Sequence, residues 1–121
     1  MKIIYTLLFS LFLLTISTAQ EKEQVELLDA PTYKTAITSK NVQLVDVRTP
    51  QEYAKGHIEG SINIDFFETE VFNKKFETLD KEKPVYIYCH SGGRSNKAAK
   101  LLLKMGFTKI FDLKGGYASW K

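Results

Sequence analysis

The sequence contains few of the residues from which cross-linked, metal-stabilised and membrane proteins are built. It has one cysteine and two histidines among 121 residues, and its longest apolar run covers fourteen residues. One cysteine cannot form an internal disulfide, and with two histidines it cannot complete a structural zinc site. A transmembrane helix needs about 20 apolar residues. These absences argue against a disulfide scaffold, a structural zinc domain and an ordinary membrane-spanning helix.

The excess of basic over acidic residues is also small. The net charge is +3, and removal of Lys2 with the leader described below would leave +2. Basic residues form no stripe with interleaved aromatic residues, so binding to nucleic acid is not expected. The length and the 44% hydrophobic content are those of one globular domain that buries a core without cross-links.

The first nineteen residues differ from the rest of the chain. Lys2 gives a positive start, Ile3 to Ile16 form the apolar run, and small residues follow with the spacing that signal peptidase reads. We predict a signal peptide over residues 1–19 and a mature domain over residues 20–121 without stable membrane association. The expected destination is a bacterial periplasm, with extracellular release as the alternative. A short N-terminal anchor is the other interpretation, although the run is shorter than a membrane span.

Strand-like and helix-like segments alternate along the remaining chain. Strands are predicted at Val25–Leu28, Val42–Val47, Ser61–Ile64, Pro84–Cys89 and Lys109–Leu113. Helices are predicted after Asp29, after Thr49, over Phe66–Leu79 and before Gly106. This alternation indicates an α/β fold with a largely parallel sheet and helices on both faces. Ligands bind beyond the carboxyl ends of such strands, where Cys89 and the segment Asp46–Arg48 lie.

Residue spacing also predicts helix ends and buried helix faces. Thr49, Pro50 and Glu52 have the pattern of a capping box with proline in the first helical position. In the segment Phe66–Leu79 the expected apolar face is Phe67, Val71, Phe72, Phe76 and Leu79. In the helix before Gly106 the expected core face is Ala98, Leu101, Leu102 and Met105, opposite Lys97, Lys100 and Lys104.

The single cysteine lies in a turn, Cys89–Ser95, between a predicted strand and a predicted helix. The thiolate is the nucleophilic form, and the pKa of free cysteine is about 8.5. The helix N-terminus and the Arg94 guanidinium both favour a thiolate, while Gly92 and Gly93 let backbone N–H groups turn inward around an anion. We therefore predict a nucleophilic Cys89 beside an opening. An inert, packed thiol is the alternative.

Three motifs, in order, resemble the rhodanese family of sulfurtransferases. CHSGGRS (residues 89–95) resembles the active-site loop of single-domain members, LVDVRTPQEYAKGHIEGSINI (44–64) their N-terminal region and LKGGYASW (113–120) their C-terminal motif. Glu59 and Ser61 stand where the family pattern has proline and alanine. The resemblance implies a doubly wound, mainly parallel five-stranded sheet with helices on both faces.

The same resemblance implies a sulfurtransferase that works through a Cys89 persulfide. Cys89 would take a sulfur atom from a small anionic donor such as thiosulfate and pass it to cyanide or a thiol. The loop residues that would hold the donor or the persulfide anion are His90, Ser91, Gly92, Gly93, Arg94 and Ser95. No metal or organic cofactor is required, because the sulfur chemistry resides on the thiol. A monomer is expected.

Other functions of the same loop stay open. Four residues separate Cys89 from Arg94, as in sulfur-transferring members, whereas the related cysteine phosphatases have five. Phosphatase or arsenate reductase activity is therefore the second enzymatic interpretation. A thiol-redox protein and a partner-binding module of the same fold are the further alternatives, and the presence of Cys89 and Arg94 argues against an inert module.

Several polar residues have two interpretations each. Arg94 either attracts an anion or pairs with a carboxylate to stabilise the turn. Asp46 and Arg48 are interpreted as a structural ion pair, with guidance of the donor an equal alternative for Arg48. His57 is expected to form a local hydrogen bond, and His90 to influence the entrance to the loop through its charge.

Two C-terminal aromatic residues, Tyr117 and Trp120, are expected to provide core or hinge packing over the Cys89 loop. Trp120 is expected to be structural rather than a platform for the substrate.

Overall fold

The structure is a computed structural model that describes residues 24–39 and 41–120. The predicted signal peptide, and the first residues of the predicted mature domain, lie outside the described residues. Within the described ranges no helix is long and apolar enough to cross a membrane.

Five strands form one parallel sheet. They are β1 (Gln24–Leu28), β2 (Gln43–Asp46), β3 (Ile62–Asn63), β4 (Val85–Tyr88) and β5 (Lys109–Leu113), arranged in the order β1-β5-β4-β2-β3. Every neighbouring pair is parallel. All four residues of β4 are buried, as expected of a central strand that is covered on both faces.

Five helices connect or follow these strands and cover both faces of the sheet. They are α1 (Ala30–Ile37), α2 (Pro50–Lys55), α3 (Thr69–Glu77), α4 (Gly93–Met105) and α5 (Gly116–Trp120). One buried cluster joins α3 and α4 to the sheet through Phe72, Phe76 and Leu102. A second cluster, around Tyr33 of α1, includes Trp120 of α5. The predicted α/β architecture is confirmed.

Three predicted helix ends, at Asp29, Thr49 and Gly106, are confirmed. Asp29 Oδ1 accepts from Thr32 N at 2.9 Å at the start of α1. At α2, Thr49 Oγ1 accepts from Glu52 N and Glu52 Oε1 accepts from Thr49 N, both at 3.3 Å, which completes the capping box. Gly106 ends α4 with a φ of 102°, a left-handed conformation that favours glycine.

Part of the predicted apolar helix faces is wrong. Phe67 is 63% exposed because α3 begins only at Thr69, and Val71 and Leu101 are also exposed. The buried stripe of α4 is Ser95, Ala98, Ala99 and Leu102, whose i, i+3, i+4, i+7 spacing leaves Leu101 at its rim. Ser95 therefore lies within the core-facing stripe, although the sequence analysis treats it only as a loop residue.

Candidate active site

The sheet brings together the two strand ends that the sequence analysis singles out. Cys89 directly follows β4, and Asp46 is the last residue of β2. Asp46 pairs in register with Tyr88, the residue before Cys89. Gly92 caps α4 with a φ of 114°, a left-handed conformation that suits glycine. The chain can therefore turn sharply from the sulfur into the helix.

The Cys89 sulfur lies at the amino end of α4 and has two hydrogen-bond partners. Gly92 N donates to Sγ at 3.0 Å, and the thiol donates to Ser95 Oγ at 3.3 Å. Ser95 Oγ in turn is 3.2 Å from the Gly92 carbonyl oxygen, to which it donates. A thirteen-residue helix presents its unpaired N–H groups and positive dipole end here. The sulfur therefore lies at the positive end of the α4 dipole, with one N–H donor directed at it.

Three other residues of the predicted loop lie at the surface. His90, Ser91 and Gly93 are exposed. Among the described residues, the only backbone N–H that donates to Sγ is that of Gly92. Of the backbone N–H groups that were predicted to turn inward, the described residues therefore supply one donor to the sulfur, and the Ser95 hydroxyl acts as an acceptor of the thiol proton.

The thiol is buried rather than open to solvent. Cys89 is 1% exposed and belongs to the apolar cluster that contains Ile87, Ala98 and Ala99. Cys89 does not line an opening, contrary to the prediction. The next residue, His90, lines a cavity of about 360 Å³. A donor in this cavity reaches the sulfur only if the loop admits it.

The cavity beside the loop is lined by basic, acidic and polar groups. Its lining residues are Arg48, Glu52, Lys55, Gly56, His90 and Tyr117. Arg48 and His90 are among the predicted site residues, whereas Lys55 was not predicted. Lys55 follows Glu52 by three residues on α2, so helical spacing from the capping box already places the two side chains on neighbouring positions. An anionic ligand would meet Lys55 and His90 in this cavity.

Arg94 is paired with a carboxylate from a distant part of the chain. Its Nη1 donates to Glu52 Oε1 at 2.6 Å and its Nη2 to Glu52 Oε2 at 2.9 Å. The hydrogen bond from Arg94 is the largest cause that lowers the pKa of Glu52 to about 2. The guanidinium also lies 5.5 Å from the ring centre of Phe67. Of the two interpretations of Arg94, the structure shows the carboxylate pairing.

Arg48 and Asp46 form the buried ion pair that the sequence predicts. Arg48 Nη2 donates to Asp46 Oδ2 at 2.7 Å, and its Nε donates to both carboxylate oxygens at 3.0 Å. The same Nη2 donates to the Gly56 carbonyl at 2.7 Å, and the guanidinium lies 4.4 Å from the ring centre of Tyr117. Arg48 thus connects the end of β2 to the end of α2 and to α5.

The last helix supports the backbone of the Cys89 loop. Tyr117 N donates to the Cys89 carbonyl at 2.7 Å, and Ala118 N donates to the His90 carbonyl at 3.0 Å. Gly116 has a φ of 61°, and a Cβ there would lie 2.5 Å from the His90 carbonyl. Only glycine fits at this contact. Trp120 packs edge-on against Tyr33, with ring centres 6.1 Å apart, in agreement with the structural role that was predicted for it.

The remaining predicted histidine has a local role. His57 Nδ1 is 2.9 Å from the Tyr53 carbonyl oxygen, and its ring stacks on the Tyr53 ring at 3.7 Å. The expected local hydrogen bond of His57 is confirmed. A second residue that the sequence analysis misses is Asp112, which is buried behind the loop on β5.

Comparison with known proteins shows one family along most of the chain. Residues 29–121 match the family described as Rhodanese-like domain. The uncharacterized protein YqhL of Bacillus subtilis is 42% identical over 81 residues, which cover 67% of this chain and 62% of YqhL. This chain therefore spans less than two thirds of that relative.

Two further relatives are covered more completely. Thiosulfate sulfurtransferase GlpE of Pseudomonas paraeruginosa is 34% identical over 92 residues, which cover 76% of this chain and 81% of GlpE. The crystal structure of a rhodanese-related protein from Thermoplasma volcanium superimposes with a TM-score of 0.68 and 32% identity. That superposition covers 78% of this chain and 89% of the other.

Proposed function

The chain belongs to the rhodanese-like domain family, and from this premise we propose that it is a sulfurtransferase that carries sulfur on Cys89. The observation that carries the proposal is the position of Sγ at the amino end of α4, where it accepts the Gly92 N–H at 3.0 Å. The similarity to thiosulfate sulfurtransferase GlpE supports thiosulfate as the donor to test.

The proposed reaction has two displacement steps. In the first, the Cys89 thiolate attacks the outer sulfur of thiosulfate, a new S–S bond forms, and sulfite leaves with the electron pair of the broken S–S bond. In the second, cyanide or an acceptor thiolate attacks the terminal sulfur of the persulfide and restores the Cys89 thiolate. With cyanide the product is thiocyanate. The negative charge on sulfur persists throughout, and the helix end and the Gly92 N–H stabilise it.

The cavity beside the loop suits an anionic donor. Lys55 and His90 line it and are exposed, and the ion pairs among the described residues do not include Lys55. Positive charge at a concave surface attracts anions and raises their local concentration. Because Cys89 is buried, we propose that only the narrow outer sulfur of the donor passes the loop, while the sulfonate group stays beside the Lys55 ammonium group.

Thiocyanate formation from thiosulfate and cyanide tests the proposal. We expect turnover by the wild-type protein and loss to background in Cys89→Ser, with one extra sulfur on Cys89 in the mass spectrum after thiosulfate treatment. A mixed disulfide at Cys89 without sulfur transfer would favour the redox function. Turnover of an aryl phosphate without thiosulfate activity would favour a phosphatase, and absence of all three would favour a partner-binding module.

Export is part of the proposal and is tested separately. We propose that residues 1–19 direct the chain to the periplasm and that the mature, monomeric protein begins at Gln20. Intact mass and N-terminal sequencing of protein from the exported fraction would support this, whereas a chain that retains Met1 would contradict it.

A further inference from the structure

Asp112 is a buried acidic side chain that the proposed reaction does not use. It is 1% exposed and lies on β5. Alternate residues of a strand face the same side of the sheet, so Asp112 shares a face with Ile110, which packs in the cluster of α4 residues. Leu113 packs in the cluster on the opposite face. The carboxyl group of Asp112 therefore lies on the α4 side, where Cys89 and Ser95 are also buried.

The Asp112 carboxyl is only partly satisfied by hydrogen bonds. The Ser95 side chain and the backbone of Leu113 are its hydrogen-bond partners. Among the described residues, Oδ1 has no partner, which is costly for a buried carboxylate oxygen. Burial raises the pKa of Asp112 to about 6, against the opposing effect of the two hydrogen bonds. Asp112 can therefore take up a proton near neutral pH.

Ser95 stands between this carboxyl and the sulfur. Its hydroxyl oxygen accepts the Cys89 thiol proton at 3.3 Å, and its single proton has the Gly92 carbonyl at 3.2 Å and the Asp112 carboxyl as acceptors. A sulfur anion has no proton to donate and needs donors instead. If the Ser95 hydroxyl turns toward the sulfur, its oxygen is free to accept a hydrogen bond from protonated Asp112.

We propose that Ser95 couples the ionisation of Cys89 to that of Asp112, so that this buried cluster carries one negative charge at a time. When the sulfur becomes anionic, its proton passes to Ser95 Oγ while the original hydroxyl proton passes to the Asp112 carboxylate. The cluster keeps its total charge and its number of protons. Two like charges in one buried cluster disfavour each other, and such groups titrate as a pair.

Asp112 is thus a positioning residue that acts through Ser95. This inference rests on the proposed function only because it takes Cys89 as the reacting thiol. Neither measurement described below involves transfer of sulfur, so sulfurtransferase activity and coupling can fail independently of each other.

The other titratable groups around Asp112 do not replace Ser95 as its connection to Cys89. Tyr33 of α1 interacts electrostatically with Asp112, but its hydroxyl donates to the Ile87 carbonyl at 3.0 Å. From α4, Arg94 interacts with Cys89 but is held by Glu52, and the α4 lysines Lys97, Lys100 and Lys104 are exposed.

The neighbouring strands contribute no charge at this level of the sheet. On β1, Leu27 is the register partner of Asp112, and on β4 it is Ile87. α5 contributes Tyr117, which lies beside Arg48. None of the ion pairs among the described residues includes Asp112.

The rate of iodoacetamide alkylation at Cys89, measured from pH 5.5 to 10, tests the coupling. The chain has one cysteine, so intact mass reports the reaction directly. In the wild type we expect the rate to level off above the pH at which Asp112 ionises, because the two singly charged forms contain the same number of protons. A second rise should follow at higher pH, when both groups ionise.

Asp112→Asn should convert this profile into a single titration. Its rate should rise about tenfold per pH unit below one midpoint and should exceed the wild-type rate several-fold at pH 8, because no neighbouring carboxylate opposes the thiolate. Glu26→Gln removes a carboxylate from an exposed position on β1 and should reproduce the wild-type profile. Superimposable wild-type and Asp112→Asn profiles, or a lower rate for Asp112→Asn at pH 8, would overturn the inference.

A reciprocal measurement keeps the test valid if Asp112→Asn folds poorly. The carboxyl-carbon NMR signal of Asp112 should titrate in two steps in the wild type, with the second step at the pH where Cys89 ionises. In Cys89→Ala, which removes only the sulfur, we expect a single step. A single step in both proteins would show that the two groups are independent.

Discussion

Two arginine–carboxylate pairs lie beside the Cys89 loop, and they differ in burial. The side chains of Arg48 and Asp46 are 4% and 0% exposed, whereas those of Arg94 and Glu52 are 21% and 33% exposed. Each arginine contacts both oxygens of its carboxylate partner. The two pairs have the same chemical groups and similar contacts. We therefore expect their roles to differ because their burial differs.

We expect the buried pair to stabilise the framework, and the more exposed pair to exchange its carboxylate for an anionic ligand. Removal of one partner from a buried pair leaves an uncompensated charge and costs about 3–5 kcal/mol. An exposed pair contributes about 0–1 kcal/mol, so its arginine can exchange one anion for another at small cost. On this basis we expect Arg48 to support the site, and Arg94 to bind an anionic donor only when the donor displaces Glu52. Three variants test this division.

The largest effect is expected for Arg48→Ala. The change leaves Asp46 buried without its cation and removes the hydrogen bond to the Gly56 carbonyl. We expect the free energy of unfolding to fall by about 3–5 kcal/mol, measured by urea denaturation. Arg94→Ala is the matched control and should cost about 1 kcal/mol or less. A raised KM for thiosulfate in Arg48→Ala at unchanged stability would instead assign Arg48 to guidance of the donor.

Asp112 extends the comparison to a buried carboxylate without an arginine. Because its pKa rises from 3.8 to about 6 on folding, the folded state holds this proton more tightly than the unfolded state. Its contribution to stability is therefore greatest at low pH and is lost as the pH rises from about 4 to 6. Asparagine does not ionise, so Asp112→Asn should not lose stability from this group as the pH rises.

The free energy of unfolding of Asp112→Asn minus that of the wild type should increase by about 2 kcal/mol from pH 4 to pH 7.5. Denaturant titrations of both proteins at these two pH values measure the gain. Glu26→Gln again serves as the control for loss of a carboxylate. A difference between wild type and Asp112→Asn that does not change with pH would contradict the assigned pKa shift.

The smallest effect is expected for Glu52→Gln. Glutamine keeps the capping box with Thr49 but cannot hold Arg94 as an ion pair. We expect stability to change by no more than about 1 kcal/mol and the KM for thiosulfate to fall a few-fold, because Arg94 becomes free to bind the donor. Steady-state kinetics at fixed ionic strength measure this, and a raised KM would show that the paired geometry of Arg94 is itself required.

The acid behaviour of the exposed pair follows from the same contact. The pKa of Glu52 is lowered from 4.5 to about 2, so the stabilisation from this pair is complete above about pH 4.5 and is lost as the pH falls toward 2. Ionisation of Glu52 therefore contributes no inflection to activity in the neutral range.

Local patterns in the sequence predicted most of the fold. Strand alternation with helices, the Asp29 and Thr49 caps and the glycine at the end of α4 each depend on a few neighbouring residues, and all are confirmed. The turn that contains Cys89 was likewise placed correctly between β4 and α4. Local rules were sufficient where the determining contacts span only one turn of helix or one strand.

The features that were missed depend on contacts between distant segments. Glu52 was already explained by its capping box, so its pairing with Arg94, 42 residues later, had no separate signal. The burial of Cys89 depends on packing against α4, which its surrounding motif does not encode. Asp112 did leave a signal, because an acidic residue within an apolar strand requires an explanation. Only the tertiary fold shows that the Ser95 side chain is a hydrogen-bond partner of this buried carboxyl group.

The contact between α5 and the loop determines when the site becomes complete. The carbonyl groups of Cys89 and His90 are held by N–H groups of Tyr117 and Ala118, which lie more than twenty residues later in the chain. A molecule whose last helix has not docked therefore contains every reactive side chain but not the backbone geometry that surrounds the sulfur. Thiol reactivity in this protein should consequently report whether the whole domain has finished folding.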